Sequence, residues 1–253
     1  MRNEIPTSAV CRQPTFSFWD TIMATQFAVI IEYPDDEGER VRAVAEEVFS
    51  EIRRLESLLS RFIEDSEISQ INRLHGGEEI IVSPETHRCL ELALEAKRLS
   101  RGHFDAAYLS QGVTCGREAF ALFARPCRVV SQAESLRLDL GGIGKGFALE
   151  QTGGIPVRYG YTRAMLCAGT STIFALDPPH GTKGWPVQVE LDGRTETLEL
   201  ANESISCSGK TVRGEHIFDV WQQKYATTRD RVYVRMASPA LSDALSTAAM
   251  TCF

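Results

Sequence analysis

The chain has 253 residues, of which 43% are hydrophobic and 24% charged, and a formal net charge of −7. That length and balance imply one large globular domain with a sizeable core and exclude a chain disordered by composition. The acidic excess argues against a nucleic-acid partner, which is gripped mainly by basic side chains on phosphates.

Residues 1–15 read as a flexible N-terminal extension to a single domain. Arg2 is basic, but Asn3, Glu4, Pro6, Thr7 and Ser8 interrupt any apolar signal-peptide core. No apolar run approaches the roughly 18–20 residues that cross a bilayer. The seven cysteines are odd in number, and no pair is spaced Cys-x-x-Cys. A zinc site or disulfide framework is therefore not expected, and a reducing, cytoplasmic setting is.

Residues 25–33 are apolar and β-branched and predict a strand, followed by a turn at Pro34–Gly38. Val41, Val44, Val48, Ile52, Leu55 and Leu59 recur at three- and four-residue steps and predict a helix over about 39–60. Ser83-Pro84 supplies an N-cap and a first-turn proline for a second helix that ends at Gly102. Short strands are expected at residues 136–140, 164–167, 173–176, 187–191, 195–200 and 232–236. Brief helices are expected after Gly144 and after Ser242. Helices early and many short strands late argue for an α+β fold rather than a regular βαβ series.

Two places carry chemistry. Gly141-Gly142-Ile143-Gly144-Lys145-Gly146 stands between an expected strand and an expected helix, where backbone N–H groups can face an anion. It is neither a Walker A loop nor Gly-x-Gly-x-x-Gly, and a tight left-handed turn with a solvated lysine fits the spacing equally well. In Ser242-Asp243-Ala244-Leu245-Ser246-Thr247, Asp243 and Thr247 fall on one helix face. A carboxylate and a hydroxyl suit a hard ion such as Mg²⁺, which takes few protein carboxylates and completes its shell with water and phosphate oxygens. The alternative is an N-cap at Ser242 or Asp243, with the Thr247 hydroxyl bonded back into the helix.

Taken together and in this order, the motifs resemble the ApbE family of FAD:protein FMN transferases. The resemblance runs through Thr21-Ile22-Met23-Ala24-Thr25, the segment 56–72, and Ser100-Arg101-Gly102-His103-Phe104-Asp105. It continues through residues 139–150, Gly169-Thr170-Ser171, Ser208-Gly209, His216-Ile217-Phe218-Asp219 and Asp243–Ala248. Differences from the family pattern fall at Phe62, which cannot donate a hydrogen bond, at Val220-Trp221-Gln222, and in the short stretch between Asp105 and Asp139.

The resemblance implies a two-lobed fold of mixed or antiparallel sheets flanked by helices, with the ligand cleft between the lobes. It implies an Mg²⁺ ion held by Asp243, Thr247 and the backbone carbonyl of Gly142. FAD would lie near Met23, Asp105, Lys145, Glu150 and Ser208, with Asp105 and Glu150 at its adenosine half and Met23 at its flavin half. Lys145 and His216 would be catalytic. For His216 a hydrogen-bonded core histidine is the rival reading, and for Met23 it is simple core packing. The reaction would place FMN on a Ser or Thr hydroxyl of an acceptor protein and release AMP. The alternatives are an FAD pyrophosphatase and a non-catalytic FAD-binding paralogue.

Overall fold

The computed structural model describes residues 15–33, 35–113, 117–191, 193–209, 218–219, 224–225 and 230–251. Its main sheet has six strands: β1 (Thr15–Ile22), β2 (Thr25–Glu32), β6 (Ala164–Ala168), β7 (Thr172–Ala175), β10 (Glu203–Gly209) and β13 (Arg231–Met236), in that spatial order. Every pairing in it is antiparallel. A smaller sheet has the order β3 (Glu79–Ile81), β5 (Cys127–Ser131), β4 (Phe120–Ala124). Two ribbons complete the strands, β8 (Trp185–Leu191) with β9 (Arg194–Leu200), and β11 (Phe218–Asp219) with β12 (Lys224–Tyr225).

The helices are α1 (Gly38–Leu59), α2 (Glu67–Ile71), α3 (Pro84–Leu99), α4 (Gly144–Thr152), α5 (Gly154–Arg158) and α6 (Pro239–Ala249). The apolar stripe expected on α1 is buried as Val41, Val44, Val48, Ile52, Leu55 and Leu59. The Ser83 cap forms as its residue type predicts, its hydroxyl accepting from Thr86 N at 3.2 Å.

Strand alternation sends side chains to two cores. Phe27, Val29 and Ile31 of β2 join the main core with α1, α3, α4 and α6. On the opposite face Ile30, Met165, Ile173, Ala175 and Ile205 pack beneath Trp185, Val187, Val189 and Leu200 of the β8–β9 ribbon. The sheet is thus covered by helices on one side and by a β-ribbon on the other.

One expected strand is absent. Residues 136–140 lie outside every sheet. Their backbone groups find other partners: Leu138 N donates to Asn72 Oδ1 at 2.6 Å, Asn72 Nδ2 donates to Leu138 O at 3.0 Å, and Asp139 N donates to Ala106 O at 2.8 Å. One asparagine side chain thus replaces a neighbouring strand, a substitution that alternating hydrophobicity does not reveal. Among the described residues no helix is long and apolar enough to cross a membrane.

Candidate functional site

Helix α6 begins earlier than its sequence suggests. Ser238 is the N-cap, accepting from Leu241 N at 3.2 Å, and Pro239 opens the first turn. Ser242 and Asp243 therefore lie inside the helix, and the N-cap alternative for them does not hold. Asp243 is only 3% exposed. Its Oδ2 accepts from Gly146 N at 3.0 Å and lies 3.5 Å from Lys145 Nζ. Its Oδ1 accepts from Thr172 Oγ1 at 3.3 Å. A nearly buried carboxylate needs such partners, because desolvation alone would disfavour its charge. One turn later, Thr247 Oγ1 donates to Asp243 O at 3.4 Å, so the back-bonded threonine is present on the face that carries Asp243.

The glycine turn meets this face from α4. None of Gly141, Gly142, Gly144 and Gly146 has positive φ, so the left-handed turn read as an alternative is not formed. Two of these glycines serve close approach instead. A Cβ on Gly142 would stand 3.1 Å from Thr247 Oγ1, and one on Gly146 would collide with the Pro239 carbonyl. The turn's N–H groups are largely taken within the protein: Gly141 N by Asp139 Oδ1 at 2.9 Å, Ile143 N and Gly144 N by Leu140 O, and Gly146 N by Asp243. At this turn the cleft therefore receives its positive charge from Lys145 rather than from an amide cradle.

These residues line one wall of a cleft of about 1050 Å³. Of the residues expected from the sequence, Asp105, Gly142, Lys145, Ser208, Asp243 and Thr247 line it together. Ser208 Oγ is 2.8 Å from Ser246 Oγ and 3.4 Å from Thr247 Oγ1. Asp105 pairs with Lys97 at 3.0 Å and accepts from Ala107 N at 2.9 Å. Burial works against the Lys97 charge, but Glu118 and Asp105 together raise its pKa above the ordinary lysine value.

Two expected residues stand apart from the lining. Met23 sits in the β1–β2 turn with φ of 51° and packs on the main core. Glu150 points its Oε2 at the start of α6, accepting from Ser238 Oγ and, at 3.3 Å, from Ala240 N. His216 lies outside the described residues.

The cleft also contains residues to which the sequence assigned no role in the site. Arg61 Nε is 3.2 Å from Asp139 Oδ2, and its guanidinium lies 4.3 Å from the ring centroid of Phe62. Phe62 is 81% exposed and lines the cleft. The Asp-x-Gly spacing of Asp139 and Gly141 is a legible turn signal; the Arg61 pairing crosses 78 residues, from 61 to 139, and leaves none. The far wall is the β8–β9 ribbon, through Val187, Val189 and Thr195. Among the described residues no group of three or more His, Cys, Asp or Glu could hold a metal ion. A cation bound beside Asp243 would instead rely on one carboxylate, neutral oxygens and its own ligands, which is the usual habit of Mg²⁺.

A helix-backed antiparallel sheet, with a cleft where a buried carboxylate, a lysine and a threonine from two helices converge, defines an α+β protein with a large cleft lined by both polar and apolar groups. The chain belongs to the ApbE family, whose model matches residues 23–252. It shares its fold with the flavin transferase ApbE of Vibrio cholerae at a TM-score of 0.80 and 19% identity, over 94% of this chain and 87% of that one. The apo flavinyl transferase ApbE of Pseudomonas stutzeri superposes at 0.82 with 18% identity, over 96% and 86%. The ApbE protein of Thermotoga maritima gives 0.80 with 21% identity, over 94% and 87%. No curated protein sequence matches the chain.

Proposed function

We propose that this protein is a metal-dependent flavin transferase that moves FMN from FAD to a Ser or Thr hydroxyl of an acceptor protein and releases AMP. Family membership supports the reaction class. The observation that carries the reading is the convergence of Asp243, Thr247, Gly142 and Lys145 on one wall of a cleft large enough for a dinucleotide.

The residues present fit a hard divalent ion. Asp243 would supply the single anionic ligand, Thr247 a hydroxyl and Gly142 its backbone carbonyl, with no side chain at Gly142 to crowd Thr247. A bound Mg²⁺ would neutralise pyrophosphate charge and polarise the phosphorus to be attacked. The acceptor oxygen forms a bond to the FMN-side phosphorus, and the pyrophosphate P–O bond breaks with its electron pair leaving on AMP. Lys145 holds an ammonium where charge builds on the phosphate oxygens, which is where fixed positive groups lower such barriers. His216 is assigned to receive the acceptor's proton, as an imidazole titrating near neutral pH can. Ser208 and Asp105 are assigned to FAD binding from their places in the cleft lining.

The test follows AMP and flavin by chromatography after incubating the protein with FAD, with and without Mg²⁺ and an acceptor peptide. Mg²⁺-dependent AMP release with flavin on the peptide is the expected result. Free FMN with an unlabelled peptide would make the protein a pyrophosphatase, and bound FAD without AMP would make it a binding protein. Asp243→Asn should lower turnover by about 100-fold or more, the scale of losing one key electrostatic contact at a reacting centre. Parent-level activity in that variant at low Mg²⁺ would remove the metal assignment.

A further inference from the structure

Behind the proposed metal ligand lies a buried set of hydroxyls, of which the recognisable motifs cover only Ser242. Thr172 of β7 and Ser206 of β10 are cross-strand partners, and both are fully buried. Ser206 Oγ is 3.4 Å from Thr172 Oγ1 and 2.7 Å from Ser242 Oγ. Ser204 Oγ lies 3.0 Å from Ser242 Oγ, and Ser242 Oγ also lies 3.0 Å from Pro239 O. Ser242 directly precedes Asp243, so the hydroxyls close a loop from the sheet to α6 and back to the Asp243 carboxylate.

The proton count fixes the direction of one bond. An ionised carboxylate only accepts, so Thr172 gives its single proton to Asp243 Oδ1 and can only accept from Ser206. Gly146 N holds the other oxygen. Secured at both oxygens, the carboxylate plane cannot turn without breaking a buried hydrogen bond. Ile205, between Ser204 and Ser206, points to the opposite core, so the serines occupy the sheet face that meets α6. Three buried hydroxyls facing a helix would be costly unless paired, and here they pair with one another and with the helix.

We propose that Thr172 is a positioning residue that orients Asp243 for metal binding, with Ser206 and Ser242 holding Thr172 in place. The proposal rests on the assignment of Asp243 as a metal ligand. The hydrogen bond adds no ligand; it presets the carboxylate plane, so that binding does not have to select one orientation from several.

The experiment measures Mn²⁺ binding without FAD, by electron paramagnetic resonance and calorimetry, on the full chain. Thr172→Val keeps the shape and removes the donor; it should weaken Mn²⁺ binding by about 10- to 100-fold, the usual cost of losing a partner that orients a ligand. Thr172→Ser should restore binding towards the parent value. In FAD turnover Thr172→Val should raise the half-saturating Mg²⁺ concentration and keep most of kcat at saturating metal. Should the valine variant lose its fold by circular dichroism, Thr172→Ser against Thr172→Ala isolates the same hydroxyl. Parent-level Mn²⁺ affinity without the hydroxyl, or equal weakening with and without it, overturns the proposal. Asp243→Asn separates the two layers of argument: if it retains Mn²⁺ affinity, the metal assignment itself fails, whereas its loss beside an unaffected Thr172→Val refutes Thr172 alone.

Discussion

At the scale of single residues, the two glycines of the α4 turn should separate stability from function. Gly146 lies where helices α4 and α6 touch, and an added Cβ would press on the Pro239 carbonyl and stand 2.7 Å from Asp243 Cβ. Backbone cannot move aside cheaply there. Gly146→Ala should therefore cost about 2–3 kcal/mol of stability, as overpacking of a tight contact does. Gly142 is different: its added methyl would meet Thr247 Oγ1 at 3.1 Å and Phe104 Cε2 at 3.2 Å, both side-chain atoms at the cleft. Gly142→Ala should melt close to the parent but bind Mn²⁺ more weakly, because the methyl crowds the hydroxyl assigned to the metal. Denaturant unfolding and Mn²⁺ titration on the two variants read both effects. A Gly142→Ala protein with unchanged Mn²⁺ affinity would place the metal away from Thr247.

At the scale of elements, Glu150 shows how a residue's spacing can be legible while its contact is not. It ends the glycine-lysine block of the sequence, and the family resemblance implies a place beside adenosine. The structure turns its carboxylate to the first turn of α6, where it accepts from Ser238 Oγ and Ala240 N. A negative group is favoured there by the unpaired N–H groups and the helix dipole. Glu150→Ala should cost about 1 kcal/mol, the scale of losing a cap, and lower Tm by about 2–4 °C for a domain of this size. The KM for FAD should stay near the parent value; a raised KM with an unchanged Tm would return Glu150 to the ligand. The same contrast explains what else could be read in advance. Helices α1 and α3 were legible because their periodicity and the Ser83 cap are local signals. The Asp243–Thr247 face was legible because both residues belong to one helix. Strand β10 with its hidden serines and the stretch 136–140 were not, since each depends on partners far away in the chain: β10 pairs with β7 and β13, and Asn72 is 66 residues from Leu138.

At the scale of the whole molecule, the end of β2 remote from the cleft has its own fastening. Thr25 lines the cleft, whereas Glu32 ends the strand roughly 20 Å away at the usual rise per residue. Just beyond it, Glu37 at the start of α1 accepts from the hydroxyl of Tyr161, which precedes β6 and is buried. Burial, and then the hydrogen bond to Glu37, push the Tyr161 phenol up to about 12. In the unfolded chain it returns to about 10. The native state then holds a proton that the unfolded state has lost, so this contribution is fully present below pH 10 and disappears as pH rises towards 12. Its slope is at most about 1.4 kcal/mol per pH unit for one group. Tyr161→Phe should be less stable than the parent at pH 8, having lost the hydrogen bond, but its stability should fall less steeply between pH 10 and 12. Urea unfolding of both proteins across that range reads the difference, and parallel curves would show that Tyr161 is not the proton-linked group. Flavin transfer at pH 8 should be unaffected, because the Tyr161–Glu37 pair lies beyond the end of β2 that is remote from the cleft.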